Sequence, residues 1–316
     1  MLIKRSGFIK RTGLIKRAWR HSAWLVMALL SACLLAGCAT DTQPQHTAEN
    51  FAERNAEAGK LSEQALIMMH QGINRMAYQQ QYLQLTRSSG IPMRQDLPLE
   101  HTVQRVAAAR ALQQYGEALQ ALLRQERTPE AAAAFNGLLD NTQTALGMFL
   151  PAAVARPIRE MGEALGQQYY FQRKITQVRL LMSTYQPIVS QLAGLLAEDF
   201  EANGSGYMAL YLTSAAELRN TAQQVLDDPQ TGPTRRQQAL EALNDAEHAD
   251  EQGQALSVRM VGMMTALHTA QQETLRNLDE PVDAHPALEE YSRRVSYAGR
   301  LMPLLSPSAQ GGMNHE

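Results

Sequence analysis

Apolar residues recur along most of the chain at alternating steps of three and four, the spacing that lines one face of a packed α-helix. The first such stripe, Leu66, Met69, Ile73, Met76 and Leu83, predicts a helix from Ala48 to Thr86 that ends at the turn residues 88–92. A second helix is expected to open near Asp96, with Pro98 in its first turn, and carries Ala108, Leu112, Tyr115, Leu119 and Leu122. Thr128-Pro129-Glu130 reads as an N-cap followed by a first-turn proline. Behind it run Ala131, Phe135, Leu138, Thr142, Ala145 and Phe149. Pro151 and Pro157 interrupt the pattern. It resumes as Ile158, Met161, Leu165, Gln168, Ile175, Val178 and Met182. Pro187 is expected to kink or divide the next segment, which continues through Ile188, Leu192, Leu195 and Leu196.

Asn203-Gly204-Ser205-Gly206 is a turn signal. Met208, Tyr211, Ala215, Leu218, Ala222 and Val225 follow it. After two proline-containing turns, a long helix is predicted from Thr234 to Leu278, and a last one carries Leu288, Tyr291, Val295 and Ala298. No alternating strand pattern of any length interrupts this series. The fold class expected is all-α, an elongated antiparallel bundle of about seven helices. The bundle body is assigned to residues 47–302, with a possible sub-boundary at 203–206. Residues 303–316 are expected to be a disordered tail.

The first 37 residues break the pattern. Lys4, Arg5, Lys10, Arg11, Lys16, Arg17 and Arg20 form a basic tract without an acid, and Ala23–Ala36 is almost wholly apolar. That run is shorter than the roughly 20 apolar residues a transmembrane helix needs. A basic tract, a short apolar core and small residues behind it are the order of a secretory signal. The core ends Leu35-Ala36-Gly37-Cys38. This quartet resembles the lipobox of bacterial lipoproteins. The resemblance implies diacylglycerol on the Cys38 thiol, cleavage before Cys38 by signal peptidase II, which recognises Leu35, Ala36 and Gly37, and acylation of the new amine. Two or three acyl chains on one residue would anchor firmly, where a single chain holds only marginally. Ala39 in the next position, where an inner-membrane lipoprotein would carry Asp, implies the outer membrane, facing the periplasm. Residues 38–46, with Pro44, read as the lipidated cysteine and a flexible tether.

This division alters the charge. The whole chain carries 29 basic and 31 acidic side chains, a formal −2. Removal of residues 1–37 takes away seven basic groups and no acid, leaving 22 against 31, a net −9. An acidic body does not suit nucleic acid, and it is repelled by an anionic membrane surface except at its lipid. Its expected partners are therefore the membrane, through the anchor, and other envelope proteins. No cofactor is expected beyond the covalent lipid.

Candidate chemistry is sparse. Between the pair Leu240 and Leu243 and the stripe from Leu256 the apolar seam of the long helix vanishes, leaving Asp245, Glu247, His248, Asp250 and Glu251. Asp245 and His248 share a helix face, as do Glu247 and Glu251. A di-iron bundle would need two Glu-x-x-His motifs on partner helices. No other histidine has an acid three residues before it, so no metal site is assigned. The segment reads as a solvated acidic surface or as a hinge at Gly253. Met68, Met69, Met260, Met263 and Met264 sit on helical stripes, as core or as an adaptable binding face. Arg156, Arg159, Tyr169, Tyr170, Arg173 and Lys174 form a basic-aromatic patch. It reads as a solvated face or as a contact for an anionic surface or partner. Hydrolase, metalloprotease, phosphate-loop and dinucleotide motifs are missing, and no catalytic residue is assigned.

The function expected is that of a lipid-anchored, non-catalytic scaffold, adaptor or accessory subunit of an envelope assembly, binding proteins through an apolar or Met-rich helix stripe. Two alternatives stand beside it. One is an immunity or exclusion protein that neutralises an incoming toxin. The other is a helical-bundle enzyme or metal protein.

Overall fold

In a computed structural model, which describes residues 42–85, 99–125, 128–165 and 174–305, the chain is an all-α helical bundle. Among the described residues there are eight helices and no strand. They are α1 (Thr42–Leu85), α2 (Leu99–Arg124), α3 (Pro129–Leu146), α4 (Ala152–Ala164), α5 (Lys174–Phe200), α6 (Tyr207–Asp227), α7 (Pro233–Asp279) and α8 (Pro286–Leu305). The quartet Leu35–Cys38 lies outside the described residues, as do Tyr169, Tyr170 and Arg173.

Residues 1–46 and 47–316 form separate units. In the first, α1 already begins at Thr42, inside the stretch expected to be a flexible tether. Pro44 falls in the first turn, where a missing N–H breaks no helical bond. In the second unit no domain boundary falls at 203–206, because α5 and α6 pack on each other and both pack on α7. Gly206 makes that turn possible: a Cβ there would stand 2.5 Å from the Asp199 Cα and the Glu198 carbonyl.

Most element ends follow local chemistry. Thr128 caps α3, its Oγ1 accepting the Ala131 N–H at 3.1 Å, with Pro129 opening the helix. Gly147 ends α3 in the left-handed conformation, φ 63°. That stop leaves Phe149, expected on the buried stripe, 88% exposed in the loop. The predicted fourth stripe is split between α4 and α5. Pro187 neither divides nor ends α5, which runs from Lys174 through it to Phe200. The last helix likewise continues past Pro303 to Leu305, where a tail was expected.

The core runs through all the helices and is dominated by Leu, Ala and Met. Met69, Met260, Met263 and Met264 are buried in it, so these methionines are not a surface binding stripe. Helices α1 and α2 cross almost backbone to backbone. A Cβ on Gly116 would lie 2.5 Å from both the Ala52 carbonyl oxygen and the Ala56 nitrogen, and Gly59 faces Gln113 and Ala109 as closely. In the same seam the fully buried Asn55 amide donates to the Leu112 carbonyl of α2.

Aromatic rings link α8, α1, α2 and α5. Tyr291 and Phe51 have centroids 6.2 Å apart, Phe51 and Tyr115 6.5 Å, and Tyr115 and Tyr185 stack at 5.2 Å. The ring hydroxyls are paired within the core. Gln271 Nε2 donates to the Tyr115 hydroxyl at 2.9 Å, and the Tyr185 hydroxyl bonds Thr142 Oγ1. Burial pushes the Tyr115, Tyr185 and Tyr291 hydroxyls far above the usual phenol range, so all three stay neutral.

Candidate functional site

The acidic segment of α7 is part of a continuous helix. Its seam does not vanish; it narrows. Ala239, Ala242, Ala246, Ala249 and Gly253 are buried and lead directly into Leu256 and Met260. The neighbouring helix α6 supplies the bulk. A Cβ on Gly253 would meet the Leu212 Cδ2 at 2.7 Å and the Tyr211 ring at 3.1 Å. Gly253 is therefore a packing position inside a helix and not a hinge.

The candidate residues around it divide by direction. Asp245 turns toward α1, accepting from Arg75 at 2.7 Å and from Gln79 at 2.8 Å. Asp250 pairs with Arg219 of α6 at 3.0 Å. His248 is exposed, and its Nδ1 lies 2.9 Å from the Asn244 carbonyl one turn back. Glu247 and Glu251 face solvent. Asp245 and Asp250 thus tie α7 to its neighbours, and the outer carboxylates stand alone. Among the described residues no three His, Cys, Asp or Glu side chains converge on a possible metal position.

Of the predicted basic-aromatic patch, Arg156 and Arg159 are exposed on α4 and Lys174 is half-buried at the start of α5. The remaining members lie outside the described residues.

A different basic-aromatic surface was missed by the sequence reading. Helix α8 presents Glu290, Arg293, Arg294, Tyr297 and Arg300 at steps of three and four, on the side away from its buried stripe of Leu288, Tyr291, Val295 and Ala298. Helix α7 packs beside it and adds Ala255, Val258 and Arg259. Between them lies an open groove of about 580 Å³. Tyr297 is its centre: the Arg300 guanidinium sits 4.6 Å from the ring centroid and that of Arg259 5.8 Å away. Glu290 bonds Arg294 at 2.6 Å and also pairs with Arg293. Two guanidinium groups therefore hold the one carboxylate, and two more lie against the Tyr297 ring.

Val258 is 75% exposed and Tyr297 42%, and they give the groove an apolar floor. Guanidinium groups held by a ring or a carboxylate keep free N–H edges that fit carboxylates in a two-point fashion. The signal in the sequence was the i, i+3, i+4, i+7, i+10 run of α8, which the reading of its apolar stripe passed over. Arg259 lies more than thirty positions away, and only the packing of α7 on α8 brings it in.

A second polar constellation sits where α1, α2, α5 and α6 meet. His70 Nδ1 is 3.2 Å from Thr102 Oγ1, which lies 2.6 Å from the Tyr207 hydroxyl. Beside it Arg105 donates to Asp199 at 3.1 Å. Burial raises the Asp199 carboxyl above its ordinary value, against the opposing pull of Arg105. Its members bond one another across four helices, which is a structural arrangement.

Comparison with protein-family models, with curated proteins and with solved structures finds no match to this chain.

Proposed function

We propose that this protein is a lipid-anchored envelope lipoprotein that serves as a non-catalytic scaffold or adaptor, binding other proteins through an outer helix face. The anchor is the Cys38 thiol, supported by the basic tract, the apolar core and Leu35-Ala36-Gly37-Cys38. Through it the protein is held at the outer membrane, facing the periplasm.

The observation that carries the binding reading is the α7–α8 groove. It joins exposed apolar side chains to fixed cationic groups, the combination found in interface cores rich in Tyr and Arg. Catalysis would call for titratable groups poised against a substrate pocket. In the groove the titratable side chains are Arg259, Arg293, Arg294, Tyr297 and Glu290, with Glu290 engaged by Arg293 and Arg294 and the Tyr297 ring approached by Arg259 and by the adjoining Arg300.

Capture of bound proteins from native membranes tests this. The wild-type chain should retain one or more proteins that Arg259→Glu/Arg300→Glu releases, with unchanged far-UV circular dichroism. Equal capture by both chains would refute the groove as the binding face.

A further inference from the structure

We propose that the outer face of α7, together with the α8 groove, is a two-fold self-association surface whose partner is a second copy of this chain. The proposal rests on the reading that the groove binds protein, and it names the partner.

Glu247, Glu251, Ala255 and Val258 follow one another at steps of four, four and three, so they lie on one helix face, and all are exposed. The next step of four reaches Gly262, over which the Arg294 guanidinium of α8 lies. Along α7 this face therefore reads acid, acid, small apolar, apolar, base. Among the described residues neither Glu247 nor Glu251 has an ion pair, and Arg259 and Arg300 have only the Tyr297 ring.

Two such faces complement each other in one orientation. In an antiparallel pair related by a two-fold axis at Ala255, a residue before 255 meets the level of the residue equally far after it. Glu251 then faces Arg259, about 6 Å along the helix from the axis at 1.5 Å per residue. Glu247 faces position 263, about 12 Å from the axis and beside the Gly262 level where Arg294 lies. Symmetry repeats each pairing, giving four charge pairs around an Ala255 and Val258 centre. A parallel pair would set Glu on Glu and Arg on Arg.

The small side chain of Ala255 lets the two helices approach at the axis. Val258 supplies the apolar contact that an inorganic anion or a headgroup would leave unused. An unrelated acidic peptide would also satisfy the arginines. The second copy is favoured because its carboxylates carry the matching spacing on the same face. The contact is electrostatic and exposed, so salt weakens it.

The test uses the full chain in native membranes, with a photo-crosslinking phenylalanine analogue in place of Val258. Illumination should give an adduct of twice the chain's mass. Glu251→Arg should reduce it about tenfold or more, as should Arg259→Glu, since each puts like charges together. Glu251→Arg/Arg259→Glu in one chain should restore it, which a merely structural role for either residue would not allow. A doubled-mass adduct insensitive to both single reversals overturns this pairing. An adduct with a different protein overturns self-association and leaves the groove's binding role standing. No adduct overturns both.

Discussion

Replacing Gly116 by Ala tests the close crossing of α1 and α2. The added methyl would stand 2.5 Å from the Ala52 carbonyl oxygen and the Ala56 nitrogen, both backbone atoms of α1. Even short Cα–H···O contacts keep carbon and oxygen about 3.3–3.6 Å apart, so the helices must separate by about 1 Å. No rotamer change relieves a clash with backbone. A gap of 0.5–1 Å forfeits roughly a quarter to a half of each dispersion contact along the seam, within the usual overpacking cost of about 1–3 kcal/mol. It also stretches the buried Asn55 to Leu112 bond, whose loss adds about 1–3 kcal/mol. Alanine returns about 1 kcal/mol in helix propensity. The net expectation is a destabilisation of about 1–5 kcal/mol. Urea unfolding followed by circular dichroism should show it as a lower midpoint with an unchanged slope. Gly194 is the control: it lies inside α5 with open space where a Cβ would go. Gly194→Ala should stabilise by about 0.5–1 kcal/mol. If Gly116→Ala also stabilises, α1 and α2 do not approach as described.

Three further expectations use other parts of the fold. Thr128→Ala removes the cap on the Ala131 N–H and should cost about 1 kcal/mol in the same unfolding assay, whereas Thr128→Ser should cost little. Gln271→Leu leaves the buried Tyr115 hydroxyl without its 2.9 Å partner and should cost about 1–3 kcal/mol; adding Tyr115→Phe should recover most of that, and strict additivity would count against the pair. The Asp199 carboxyl is raised in the folded chain above its unfolded value of about 3.9. The folded state thus binds its proton more tightly, and the stability this group contributes is largest at low pH and falls as pH rises through the folded value. Wild type should lose stability relative to Asp199→Asn over that range; a relative gain would reverse the assignment.

What the sequence revealed depended on where each signal resides. Helices were legible because their signals are local: a 3–4 stripe, the Thr128-Pro129 cap, the proline-containing turns before α7. Phe149 was misplaced because it continues the periodicity beyond Gly147, whose left-handed backbone ends the helix first. The interior of α7 was misread because no large apolar residue marks the seam between Leu243 and Leu256. There the core is made of Ala and Gly, with Tyr211 and Leu212 of α6 filling the space. The candidate site was less legible than the fold. Arginines on a helix exterior have the pattern of a solvated face, and only the pairing of α8 with α7 reveals that Arg259, Arg293 and Arg294 share a groove with Tyr297.

A binding body tied to a membrane by a lipid on Cys38 is what we propose, and metabolic labelling with palmitate measures this directly. Wild-type chain should incorporate label, migrate as the processed form and sediment with membranes. Cys38→Ala should carry no label and accumulate as unprocessed precursor. Unlabelled wild type, or a Cys38→Ala chain that labels normally, would contradict the account.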